Sequence, residues 1–213
     1  HLKRSVHDVH YVYVFHSLLS THRAYRAYAF DAYDSILCSG PHHKRELAAA
    51  GGVRPIRPRD LLEAGYCRLD EIITEVGTAT EPDEQGIRVL VAPTWGPSSL
   101  IEYNLDGIVK ALLDHSLEVI LRFHPMSLRH QPDLHERYIH LFGNNPQFSL
   151  DHSFESTSSF LASDVAITDW SGAAHEFSLG LLRPTIFVDT PQKENNDVFS
   201  LLNIECYEDT VRE

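Results

Sequence analysis

Cysteine, methionine, long apolar runs and positive charge are all scarce in this chain. Its three cysteines, Cys38, Cys67 and Cys206, are odd in number, far apart and free of any Cys-x-x-Cys spacing, which argues against a disulfide framework or a thiolate zinc site and for reduced cytoplasmic thiols. No apolar run approaches the roughly 20 residues that cross a bilayer. The start, His-Leu-Lys-Arg-Ser-Val-His, has no secretory apolar region and no initiator Met, so the chain is expected to begin inside a longer protein. Lys and Arg total 18 against 30 Asp and Glu, a net charge of −12, which argues against a nucleic-acid partner. The deficit is uneven. Residues 1–80 carry 10 Lys/Arg against 9 Asp/Glu, and residues 81–213 carry 8 against 21. The near-neutral first part, with Arg23 and Arg26, is the half expected to face an anionic acceptor or to touch a membrane surface peripherally, and scattered solvated charges explain it equally well.

What is present is a globular chain, 43% apolar, with strands and helices in alternation. Two β-branched runs, Val165 to Thr168 and Thr185 to Val188, flank a small-residue segment long enough for about two helical turns. This is a strand, a helix and a parallel strand, with the turn Thr168-Asp169-Trp170-Ser171-Gly172 at the carboxyl end of the first strand. The helix that follows exposes unpaired N–H groups and a partial positive charge beside small side chains, a setting that suits a phosphate.

The same alternation runs through the whole chain. Before it, strands are expected at Val9 to Phe15, Ser35 to Ser39 and Leu61 to Tyr66. Helices are expected at Ser20 to Asp31, at His42 to Ala50 with a stop at Gly51-Gly52, and at Arg68 to Val76. The polar stretch 78–86 reads as a linker. Beyond it come strands at Arg88 to Pro93, Glu118 to Phe123 and Phe148 to Leu150, and helices at Ser98 to His115, Pro132 to Phe142 and Ser156 to Ala162. The expected fold is α/β, with two Rossmann-like domains: residues 1–77 as the C-terminal part of an incomplete first domain, and residues 87–213 as the second.

His16, Trp95, His124 and Asp169 each directly follow an expected strand, the edge at which open parallel sheets bind ligands. Transfer from an activated diphosphate needs a base for the acceptor hydroxyl, positive groups around the phosphates and a helix start to receive them. His16 suits the base, Arg122 and His124 supply charge or protons, and Ser171 and Gly172 begin the helix. Asp169 reads equally as an N-cap of that helix. Glu176 is a further polar group near the start of the helix. A metal centre is not expected: His130, His135 and His140 are spaced by five, which turns successive side chains by about 140° around a helix.

These motifs resemble the CDP-glycerol glycerophosphotransferases of teichoic acid and capsule biosynthesis. The resemblance rests on the strand leading to His16-Ser17, on Tyr33-Asp34-Ser35-Ile36 leading to Gly40, and on Gly65-Tyr66-Cys67-Arg68-Leu69-Asp70. It continues in Val91-Ala92-Pro93-Thr94-Trp95, Arg122-Phe123-His124-Pro125, Thr168-Asp169-Trp170-Ser171-Gly172 and Arg183-Pro184-Thr185-Ile186-Phe187. It implies a GT-B architecture, with two parallel-sheet domains facing across a cleft and the donor held mainly by the second. It also implies His16 as base, His124 assisting at the phosphates, and Asp169 and Ser171 at the diphosphate site. The implied reaction moves glycerol phosphate from CDP-glycerol, or a related CDP-polyol, to a hydroxyl of a cell-surface polymer or its lipid-linked precursor and releases CMP, with no cofactor. Ser17, Cys67 and Gly172 depart from the family pattern and leave the donor polyol open. The alternatives are a nucleotide-sugar glycosyltransferase or a UDP-N-acetylglucosamine 2-epimerase-like enzyme, and a non-catalytic nucleotide- or polymer-binding module of a capsule assembly protein.

Overall fold

The structure is a computed structural model that describes residues 2–53, 55–78, 86–153 and 157–211. In chain order the elements are β1 (Val12–Val14), α1 (Thr21–Ala24), β2 (Ser35–Cys38), α2 (Pro41–Val53), β3 (Asp60–Glu63), α3 (Cys67–Thr78), β4 (Arg88–Val91), α4 (Leu100–Tyr103), α5 (Leu105–Asp114) and β5 (Glu118–Leu121). They continue with α6 (Pro125–His130), α7 (Leu134–Phe142), β6 (Phe148–Leu150), α8 (Ser158–Ala162), β7 (Val165–Thr168), α9 (Gly172–Leu181), β8 (Thr185–Phe187), α10 (Phe199–Leu202) and α11 (Tyr207–Thr210). The chain divides into two compact units, residues 1–68 with 193–213, and residues 69–192.

Unit 2 is a doubly wound parallel sheet of order β6-β5-β4-β7-β8. Its inner strands read as unbroken apolar runs because both faces are buried. Val89, Val91, Val119, Leu121 and Ile167 face one core with Leu105, Val109 and Tyr138. Leu90 and Ala166 face the other, with Ile72, Phe160, Phe177 and Leu181. α3 comes so close to α9 that a Cβ on Gly180 would lie 2.6 Å from Cγ2 of Ile72. Ile72 is thereby part of the unit 2 core, and the boundary between the units falls in the first turn of α3. A division at 78–86 would leave α3 with the first unit, and residues 79–85 of that stretch lie outside the described residues.

In unit 1 the three parallel strands lie in the order β1-β2-β3. Tyr13, Ile36 and Leu61 are in register across the sheet and share its inner face. There Tyr13 meets Phe15, Phe30 and Tyr33 edge-on at ring separations of 5.0 Å, the arrangement that aromatic quadrupoles favour. Val12, Val14 and Leu62 point the other way and are exposed.

Several elements depart from the sequence expectations for identifiable reasons. α2 runs through Gly51 and Gly52 to Val53, since neither glycine takes a positive φ and the helix is not stopped there. The expected helix over Ser98 to His115 breaks at Asn104 (φ −158°, ψ 35°) into α4 and α5. Only one turn, α1, forms in the stretch from Ser20 to Asp31. α6 forms directly after His124, where no helix was expected. The C-terminal residues from 193 onward, expected in the second domain, group instead with unit 1.

Candidate active site

In unit 2 the strand order reverses between β4 and β7, whose C-terminal ends splay their connections to opposite faces of the sheet. A crevice at such a switch point is where open α/β sheets take ligands. The two ends are tied together there. Asp169, directly after β7, is fully buried; its Oδ1 accepts the Thr94 N–H at 2.7 Å and its Oδ2 the Leu100 N–H at 2.6 Å. Asp169 is therefore not the cap of α9. It fixes both ends of the loop that carries Trp95 and Gly96, the latter at φ +98°. Burial pushes the Asp169 carboxyl up from its ordinary range, against the Leu100 and Thr94 N–H groups, which favour the anion. The Thr168 hydroxyl adds a bond to Ala92 O at 2.6 Å, and Trp170 Nε1 donates to Thr190 O at 2.8 Å, joining the turns after β7 and β8.

Ser171 is the N-cap of α9, its hydroxyl accepting the Ala173 N–H at 3.3 Å. Gly172 is the first helical residue, and the first turn of α9 holds no acidic side chain. Glu176 is half-buried one turn further on. His124, after β5, caps α6: its Nδ1 accepts the Met126 N–H at 3.0 Å, so the neutral ring carries its proton on Nε2. The His124 ring centroid lies 6.2 Å from that of Trp95. His130, at the end of α6, stacks on the Trp95 indole at 5.8 Å and 17°.

Arg122 has a different role. Its backbone N–H bonds Val91 O at 2.9 Å, which keeps it in step with Ile120 on the face of Phe160. Its guanidinium lies 5.2 Å from the Phe160 ring, donates to Ser159 Oγ at 3.1 Å and sits 3.6 Å from Asp151 Oδ2. The structure thus gathers Trp95, His124, Asp169, Ser171 and Gly172 on the C-terminal edge of the unit 2 sheet. Arg122 is engaged by α8 and the end of β6. Arg183 is likewise structural, donating to Leu161 O at 2.8 Å and Ser163 O at 2.6 Å. Among the described residues no group of three or more His, Cys, Asp or Glu is arranged to hold a metal ion.

A family model described as CDP-glycerol:poly(glycerophosphate) glycerophosphotransferase matches residues 12–198. The chain belongs to this family. No curated protein matches it. Among solved structures it is similar to the wall teichoic acid polymerase TagF, at 24% identity over 73% of this chain with a TM-score of 0.43. To the same polymerase soaked with CDPG for 15 minutes it is 25% identical over 73% of this chain, at a TM-score of 0.45. The chain spans 38% of the length of the soaked polymerase chain and 39% of the other.

In this glycerophosphotransferase-family chain His16 belongs to unit 1. It is exposed at the C-terminal edge of that sheet, two residues past β1. Its carbonyl accepts the Tyr66 hydroxyl at 3.1 Å, and its ring meets Tyr25 edge-on at 6.1 Å. Tyr66 follows Gly65, whose φ of +77° suits glycine at that turn. The loop that follows His16 meets a polar cluster of His22, His43 and Glu46, which the sequence pattern marked only as parts of expected helices. His43 is fully buried, and burial together with the neighbouring His42 pushes its pKa down to about 4. Burial alone would also deprotonate His22, but its contacts with Cys206 and Glu46 outweigh that and push its pKa up to about 10. Burial works against the Glu46 anion, yet the ion pair with His22 at 3.5 Å and the Thr21 hydrogen bonds hold its carboxyl below the ordinary value.

These shifts give a stability profile with a definite sign. His43 is neutral when buried, so its contribution is complete above its ordinary value of 6.5 and is lost as pH falls toward about 4. Glu46 acts in the same direction, losing its contribution as pH falls through the carboxylate range. His22 has a raised pKa, so its contribution is complete below 6.5 and is lost as pH rises toward about 10. The melting temperature of unit 1 is expected to peak near pH 6.5 and to decline on both sides. A melting temperature that climbs steadily from pH 6 to pH 9 would contradict the protonated state of His22.

Proposed function

We propose that the protein of which this chain is part transfers glycerol phosphate from CDP-glycerol to a hydroxyl of a poly(glycerol phosphate) polymer or its lipid-linked precursor. The observation that carries this reading is the start of α9 at the switch point of unit 2. The Ser171-capped helix offers the Gly172 N–H and the positive end of its dipole, with no acidic side chain in its first turn, beside the Trp95 loop and His124. Family membership supports the choice of a CDP-linked donor.

In this reading residues 69–192 hold the donor, and unit 1 serves the acceptor. The diphosphate lies against Ser171 and Gly172, with Glu176 near the polyol. His124, carrying its proton on Nε2, donates to a phosphate oxygen as charge develops. His16 takes the proton of the acceptor hydroxyl. The acceptor oxygen bonds to the phosphorus that bears glycerol, the bond from that phosphorus to the CMP oxygen breaks, and CMP leaves with the electron pair. Arg122 supports the site through Asp151 and the end of β6. The protein works in the cytoplasm, with a peripheral contact at the membrane where a lipid-linked acceptor resides; among the described residues no helix is long and apolar enough to cross a membrane.

Calorimetric titration with CDP-glycerol, CDP-ribitol, CMP and UDP-N-acetylglucosamine tests the donor. Selective binding of CDP-glycerol is expected. A preference for the UDP-sugar would replace the proposal with a nucleotide-sugar enzyme, and a preference for CDP-ribitol would change the polyol.

A further inference from the structure

The chain just after His16 is gripped residue by residue. The Leu18 carbonyl accepts from His42 Nε2 at 2.9 Å, and the next carbonyl, that of Leu19, accepts from His43 Nε2 at 2.9 Å. Ser20 donates its N–H to Glu208 Oε1 at 3.0 Å and receives the Tyr207 N–H on its hydroxyl at 2.7 Å. Thr21 gives both its N–H and its hydroxyl to Glu46 Oε2, at 2.6 and 2.8 Å. Together with the Tyr66 bond to His16 O, every residue from 18 to 21, and His16 itself, is held by another segment of unit 1.

The tautomer of His43 is set by its neighbours. The Ser39 N–H donates to Nδ1 at 3.3 Å, so the neutral ring keeps its proton on Nε2 and must donate it to Leu19 O. Ser39 directly follows β2, and the ring thereby links the end of β2 to the loop that leaves β1. His42, the next residue back along α2, is itself braced by stacking on Tyr207 at 4.5 Å and 22°. His43 and Glu46 are both almost wholly buried. Burying an imidazole and a carboxylate is costly, and an apolar pair would fill the same space at less cost. What the polar pair adds is a fixed path for the main chain.

We propose that His43, with His42 and Glu46, is a positioning residue that holds the His16 loop in its reactive geometry. This rests on the reading of His16 as the base. The side chains of α2 set the position of carbonyls two and three residues after His16, and the Tyr66 hydroxyl sets that of His16 O. The imidazole of His16, exposed and held by few contacts of its own, takes its placement from this frame.

The test uses the full-length enzyme with CDP-glycerol and a poly(glycerol phosphate) acceptor, comparing His43→Leu with His43→Gln, whose amide N–H can still reach Leu19 O. For His43→Leu, kcat is expected to fall about ten- to a hundredfold, the scale of a misplacement of order 1 Å. KM for CDP-glycerol should stay unchanged, and amide hydrogen exchange over residues 18–21 should quicken. His43→Gln should recover most of kcat. Should His43→Leu fail to fold, His42→Phe keeps the stack on Tyr207, removes the bond to Leu18 O and carries the same expectation. Faster exchange with kcat unchanged overturns the proposal, and so does an equal loss of kcat in the Leu and Gln variants. Turnover that survives His16→Ala shows instead that the base assignment has failed, and removes the positioning role with it.

Discussion

His16→Ala is expected to lower the turnover of the full-length enzyme by about a thousandfold, within the range of roughly a hundred- to ten-thousandfold that a positioned general base contributes, while leaving the affinity for CDP-glycerol unchanged. The two halves of this expectation come from different parts of the chain. His16 sits at the C-terminal edge of unit 1, whereas the helix start, Trp95 and His124 that are assigned to the donor belong to residues 69–192. The His16 side chain is exposed and its carbonyl is tied to Tyr66. Truncating the ring therefore removes a titratable group with little loss of packing, and melting should move by no more than a degree or two. Steady-state kinetics beside calorimetric titration of the same variant separates the roles. Unchanged turnover takes His16 out of the mechanism, and a matching loss of donor affinity would make it a binding residue.

The β7–α9–β8 unit was legible in the sequence because both strands are β-branched, although β7 is an inner strand and β8 an edge strand with Ile186 exposed. They read as short β-branched runs, Val165 to Thr168 and Thr185 to Val188, that need no periodicity to be seen. Placement of candidate residues just past strand ends was legible for the same reason. Strand order was not. That β4 and β7 are neighbours follows from where helices cross over, and a linear pattern carries no sign of it, so the switch point emerges only in three dimensions. The bonds of Asp169 to Thr94 and Leu100 were equally hidden, since a side chain that satisfies backbone 75 and 69 residues away leaves no local spacing. Residue counting also left the direction of Arg122 open. The ladder continues one residue past β5, so the strand alternation still governs this side chain and turns it toward Phe160. His42, His43 and Glu46 read in the sequence only as part of a helix, because the backbone carbonyls and N–H groups they serve lie in another segment. His130 carried no signal beyond its position six residues after His124, and its value lies in the stack on Trp95.

The second large effect is expected at Asp169, where the loss should be first of stability and through it of the site. Both carboxylate oxygens are used on main-chain donors: Thr94 N–H, at the end of β4, and Leu100 N–H, at the start of α4. All three residues are buried, so Asp169→Ala strands two donors where water has little access. Each unsatisfied buried group costs about 1–3 kcal/mol, and together about 3–5 kcal/mol is expected, a large share of the roughly 5–15 kcal/mol by which a domain is stable. For a chain of this size that corresponds to a fall in melting temperature of about 10 °C or more. Asp169→Asn should rescue little, although it is nearly the same size. Its amide keeps one acceptor but turns an NH2 group toward the other N–H, setting donor against donor. A mere packing role predicts the opposite order, with Asn close to the native protein and Ala alone destabilised. The amides of Thr94 and Leu100 should lose protection from hydrogen exchange in both variants. Because the loop between them carries Trp95 and ends beside the switch point, affinity for CDP-glycerol should fall even below the melting transition, where the chain is still folded. If Asn melts within a degree or two of the native protein, the carboxylate is not bridging the two strand ends, and the geometry assigned to the donor edge would have to be rebuilt without it.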